Sequence, residues 1–159
     1  MKKVVQQASS AQVVSMAPAP VSAAVHELLD RAEAGLQHAG LSADVGERYV
    51  GAHLAGLRAA AAVLAARTTR SSPSRPRSVW EVLPTVAPEL TEWATFFAVS
   101  ARLRAAVERG DRVVPAREAD DLVRQAEAFL QLVHDLLGVR RSGSVAQYLA
   151  PLTSYGAVG

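Results

Sequence analysis

The chain contains no cysteine. Disulfides, a thiol nucleophile and a thiolate metal site are therefore excluded, and the composition is compatible with the cytoplasm. Aromatic residues make up only 5% of the 159 residues, although half the chain is hydrophobic. The apolar content is thus carried by alanine, leucine and valine, a mixture that favours helix over sheet. Lysine is almost absent: Lys2 and Lys3 are the only two, so arginine makes the sequence basic, with a pI near 9.4 and a net charge of only +2. That small excess does not require a nucleic-acid partner. The longest apolar run, Ala59 to Ala66, is too short to span a bilayer. A charged start, Met1-Lys2-Lys3, is followed by Gln6-Gln7 and Ser9-Ser10, which break any signal-peptide core. Familiar catalytic signatures are missing too. No glycine-rich phosphate loop, His-Glu-x-x-His, Gly-x-Ser-x-Gly or Glu-x-x-His occurs.

What is present is helical periodicity. Residues 1–20 are non-periodic and Ala/Pro-punctuated, the composition of a disordered lead. Residues 21–138 read as one bundle domain, and 139–159 as a tail with one helical turn near Val145. Ser22 is an N-cap candidate for a first helix ending at Gly40, with Val25, Leu28, Leu29, Ala32 and Leu36 as its apolar stripe. Ser42 is expected to cap a second helix, with Asp44 and Glu47 in its first turns. This alanine-rich helix carries two adjacent apolar seams. One is Val50, Leu54, Leu57, Ala61 and Leu64; the other is Tyr49, His53, Gly56, Ala60 and Val63. Two apolar faces place a helix inside a bundle.

Residues 68–77 (TTRSSPSRPR) read as a solvated linker. Ser78-Val79-Trp80-Glu81 has capping-box spacing, which predicts a short helix ended by Pro84. Thr85 is then expected to cap a helix running to Arg109, stopped by Gly110. Its core candidates are Leu90, Trp93, Phe96, Phe97, Val99 and Leu103. Pro115 opens the last helix, whose stripe is Leu122, Ala126, Phe129, Val133 and Leu136, and Gly138 closes it. The fold class is all-α: an antiparallel four- to five-helix bundle. Its expected core gathers Trp93, Phe97, Leu122, Phe129, Val133, Leu54, Leu57 and Leu64.

Few residues suggest chemistry. Arg48 and His53 stand five positions apart. A guanidinium can hold a phosphate while an imidazole moves protons near neutral pH, which suffices for RNA cleavage through the 2′-hydroxyl. Five helical steps separate the two side chains by about 140°, so a working site would be shared between two subunits. The structural alternative has Arg48 solvated in the first turn and His53 packed beside Tyr49. Arg31 and His38 form a comparable pair, so the spacing alone is not distinctive. Arg70, Arg75 and Arg77, with Arg67 at the edge of the linker, could contact nucleic-acid phosphates or simply be solvated. His26, Glu27 and Asp30 are too sparse a set for a metal, and no cofactor is implied. His134 is read as structural, favoured by the helix dipole. Asp120, Arg124 and Glu127 are read as intrahelical pairs.

The order ERYVGAHLAGLRAAAAVLAAR, basic loop, RSVWEVLPTVAPELTEWATFFAVSARLRAA and AREADDLVRQAEAFLQLVHDLLG resembles the HEPN (higher eukaryotes and prokaryotes nucleotide-binding) superfamily, across about Val25 to Gly138. It is closest to small single-domain actinobacterial members. The resemblance implies an all-α bundle, frequently dimeric. Some members are metal-independent toxin or defence RNases using an Arg-x4–6-His pair; others bind RNA, nucleotides or proteins without catalysis. In those RNases the pair lies in a late helix, whereas Arg48 and His53 lie in the second. The expected function is therefore a non-catalytic binding module that self-associates or docks on a protein partner. The alternative is an endoribonuclease using Arg48 and His53.

Overall fold

In the computed structural model, residues 20–68 and 77–141 are described. They form α1 (Ala23–Leu41), α2 (Val45–Arg67), α3 (Val79–Val86), a 3₁₀ turn (Pro88–Leu90), α4 (Thr91–Glu108) and α5 (Ala116–Leu137). No strand occurs among the described residues, as the composition implies. The lead, most of the linker, and the tail with the turn expected near Val145 lie outside them.

The helix ends follow local chemistry. The Ser22 hydroxyl accepts the Val25 N–H and opens α1. The α2 cap is Asp44, not the expected Ser42: the Asp44 carboxylate accepts the Glu47 N–H at 2.8 Å. Ser42 instead ends α1, and its hydroxyl donates to Glu47 Oε2 at 3.1 Å. The connection is so short that Ser42 is used up closing the first helix, which leaves the charged side chain nearer α2 to start the second.

Ser78 caps α3 as expected, accepting the Glu81 N–H. Pro84, however, does not end it. The helix runs on to Val86, and Thr85 sits inside it, donating to the Val82 carbonyl. Proline in so short a helix loses only one intrahelical bond, and the Ala87 N–H closes the turn on the Leu83 carbonyl at 2.8 Å. Pro88 then starts the 3₁₀ turn, and α4 begins without a side-chain cap. At the far end of α4, Gly110 has φ +76°, and the Asp111 N–H reaches the Ala106 carbonyl, a left-handed stop that suits glycine. Gly138 ends α5 in the same way at φ +64°.

α2 is the central helix, packed against α1 and α5 and flanked by α3 and α4. Its two seams are not equivalent. Tyr49, His53, Gly56, Ala60 and Val63 are buried, together with Ala52, Ala55, Ala59 and Ala62. Val50, Leu54, Leu57, Ala61 and Leu64 are only half-buried. The small side chains face inward because they let backbones approach. A Cβ on Gly51 would stand 2.9 Å from the Ala39 Cβ across the α1–α2 crossing. By length and composition α2 could also cross a membrane, but half of its most apolar window is buried inside the bundle, as in a core helix.

The aromatic core differs from the expected one at Trp80, Trp93 and Phe96. Trp80, from the short α3, takes the central place, stacked on Phe97 at 4.8 Å and 11°. Trp93 is half-buried at its edge, 5.3 Å from Phe129. Phe97, Phe129, Leu122 and Val133 lie in the core as expected. Phe96 and Val99 do not: they are 41% and 64% exposed. α4 buries only Ala94, Phe97 and Ser100, a stripe at spacing three, and among the described residues no helix covers Phe96 and Val99.

Candidate functional site

Arg48 leaves the start of α2 toward α5. Its Nε and Nη2 donate to the Ser42 carbonyl at 3.2 and 2.9 Å, and its Nη1 to Asp120 at 2.6 Å. The guanidinium thus ties the α1–α2 turn to the last helix, using its planar fork on two acceptors. Asp120 is consequently not an intrahelical partner of Arg124, which pairs with Asp121.

His53 points the other way, into the core, and is 1% exposed. Its ring meets Trp80 and Phe97 edge-on at 5.8 and 5.9 Å. Nδ1 lies 3.0 Å from Ser100 Oγ, which also accepts the Tyr49 hydroxyl at 3.2 Å. Burial, reinforced by the nearby Arg104 charge, lowers its pKa to about 4. The imidazole is neutral at physiological pH. One copy of the chain therefore does not bring Arg48 and His53 together at a cleft.

Of the linker arginines, Arg77 is exposed just before the α3 cap, while Arg70 and Arg75 lie outside the described residues. Arg67 is tied to Glu89 at 2.7 Å and reaches the Val86 carbonyl. Glu27 is paired with Arg31 at 2.6 Å. No group of three His, Asp or Glu side chains converges to hold a metal among the described residues.

His134 is buried near the end of α5. Nδ1 donates to the Val139 carbonyl at 2.9 Å. Nε2 lies 3.0 Å from Glu33 Oε1, an oxygen that Arg141 Nε also reaches at 3.1 Å. This Nε2 contact does not meet hydrogen-bond geometry. Glu33, buried at 8% exposure within an apolar stripe, was not singled out by the sequence because its partners come from α5 and beyond.

A groove of about 490 Å³ lies between α4 and α5. Phe96, Val99, Leu103 and Leu122 form its walls; Tyr49 and Ser100 lie at its floor; Glu118, Asp121 and Gln125 come from α5. The hydroxyl pair that holds His53 is thus the polar floor of an apolar groove. Sequence reasoning missed this site. The only signal in the sequence is that the apolar residues of α4 cover more than one face.

Residues 39–134, more than half of the chain, match the SAV_6107-like HEPN family. The chain belongs to this family of all-α domains, as its bundle of helices also indicates. No curated protein and no solved structure matches the chain significantly.

Proposed function

We propose that this HEPN domain is a non-catalytic interaction module that works by self-association through the exposed face of α4. The observation that carries this reading is the pair Phe96 and Val99, apolar and solvent-facing beside a preformed groove. Contiguous apolar surface of this kind marks contact sites. A second copy fits by charge as well. The groove carries Glu118 and Asp121, and the same stripe of α4 carries Arg102, seven residues beyond Thr95. Arg102 is exposed and makes no ion pair among the described residues. A two-fold contact would place the apolar face of each α4 on the other and offer each Arg102 an acidic groove.

Sedimentation across micromolar concentrations tests this. The wild type is expected to dimerise, Arg102→Glu to weaken the dimer at least tenfold, and Val99→Glu to abolish it. A wild type that stays monomeric throughout overturns the proposal. The endoribonuclease alternative asks Arg48 to leave two partners and His53 to leave the core. Its test is cleavage of structured RNA in EDTA, lost in His53→Ala. Phosphate contact by Arg70, Arg75 and Arg77 would appear as RNA binding that weakens steeply with salt. The cysteine-free composition fits a cytoplasmic role.

A further inference from the structure

The hydrogen-bonding groups of the α4–α5 groove are almost all acceptors. The Tyr49 hydroxyl already donates to Ser100, which leaves the lone pairs of its phenol oxygen. Ser100 is engaged on both sides, by Tyr49 and by His53 Nδ1. Glu118 and Asp121 add carboxylates, one oxygen of Asp121 being used by Arg124. Only the Gln125 amide brings a free donor, the Thr95 hydroxyl donating to the Thr91 carbonyl at 3.0 Å, and no lysine or arginine lines the groove among the described residues. Between these groups the walls are Phe96, Val99, Leu103 and Leu122.

We propose that this groove is a binding site for an amphipathic organic cation, a guanidinium, amidinium or ammonium group carried on a compact apolar body. A neutral apolar guest would desolvate Glu118 and the free oxygen of Asp121 without pairing them, and an anion would be repelled by Glu118, which makes no ion pair among the described residues. A cation pairs them, donates to Tyr49, and rests its apolar part on Phe96 and Val99, with the aromatic face adding to the attraction. The volume, about 490 Å³, lies in the range of small-molecule sites. Arg102, Arg104, Arg112 and Arg124 are the opposing charges nearby, and Arg124 already pairs with Asp121. Arg104 leans toward Glu108 at 3.6 Å, and Arg112 is exposed, where water screens it. This inference takes its surface from the reading above: a free cation would occupy the place that reading offers to Arg102 of a second copy, and would compete with it.

Benzamidinium is the probe, with neutral benzamide and anionic benzoate as controls, followed by amide NMR shifts at residues 49, 96, 99 and 100. Saturation is expected at about 1 mM, as suits a ligand of nine heavy atoms. Benzamide should bind at least tenfold more weakly and benzoate not at all. Glu118→Gln should weaken benzamidinium about three- to fivefold, and Tyr49→Phe by a similar factor, with thermal melting showing that both variants fold. The Arg102→Glu chain, in which the groove is intact, should bind the probe at least as tightly as the wild type. Equal binding of benzamide and benzamidinium, or no shift at these residues in Arg102→Glu, overturns the cation site whether or not the protein dimerises. Binding to a wild type that is monomeric throughout upholds the cation site and removes only the self-association reading.

Discussion

Replacing Gly56 tests the central helix crossing most directly. A Cβ built at this position would stand 2.6 Å from Phe97 Cε1 and 2.7 Å from Cζ. Carbon atoms in contact prefer about 3.5–4.0 Å, so roughly 1 Å of overlap must be relieved. The Phe97 ring has little room to give. It is fully buried, stacked on Trp80 at 4.8 Å, and packed on Phe129 at 5.2 Å. Overpacking of this kind costs about 1–3 kcal/mol. Against it stands the gain of replacing glycine in a helix interior, about 1 kcal/mol for alanine. Gly56→Ala should therefore be neutral to destabilising by about 2 kcal/mol, and Gly56→Leu should cost about 3 kcal/mol or more. Gly40, late in α1, is the control: a Cβ there meets nothing within 4 Å. Gly40→Ala should stabilise by about 0.5–1 kcal/mol. The assay is urea denaturation followed by tryptophan fluorescence. A double-mutant cycle with Phe97→Leu should show that the smaller residue relieves part of the Gly56→Ala penalty. If Gly56→Ala stabilises as much as Gly40→Ala, the close approach of α2 to Phe97 is wrong.

Trp80→Ala should destabilise by about 3–5 kcal/mol, more than Trp93→Ala, because Trp80 is in the core and Trp93 is half-buried; parallel melting curves would show it. His53 titrates near 4 when folded and about 6.5 when unfolded, so below pH 6.5 the unfolded chain binds a proton that the folded chain does not. Stability should fall by up to about 3 kcal/mol as the pH drops from 6.5 toward 4, and His53→Gln should lose this slope. Arg48→Lys should weaken the domain nearly as much as Arg48→Ala, by about 1–2 kcal/mol in denaturant titrations, since an ammonium cannot serve both Ser42 and Asp120 as the fork does. Full rescue by lysine would reduce Arg48 to a simple charge.

Local chemistry made much of this fold legible in the chain itself. Ser22, Ser78, Pro115, Gly110 and Gly138 mark helix ends because caps and left-handed stops depend on only a few neighbouring atoms. The 3-4 stripes of α1 and α5 point inward as their spacing implies, since each helix has one apolar face. Where a helix has two candidate faces, periodicity cannot choose. In α2 the leucines look like the better core, yet the alanine and glycine side is buried, because backbone approach to α1 and Phe97 outweighs side-chain bulk. In α4 the same ambiguity hid Phe96 and Val99, which no helix among the described residues covers. The candidate site was still less legible. The five-residue spacing of Arg48 and His53 suggested a pair, but tertiary packing sends one side chain to Ser42 and Asp120 and the other to Ser100. The groove needs Tyr49 from α2, Ser100 from α4 and Glu118 from α5 at one place, and sequence distance carries no trace of that meeting; only the packing of three helices creates it.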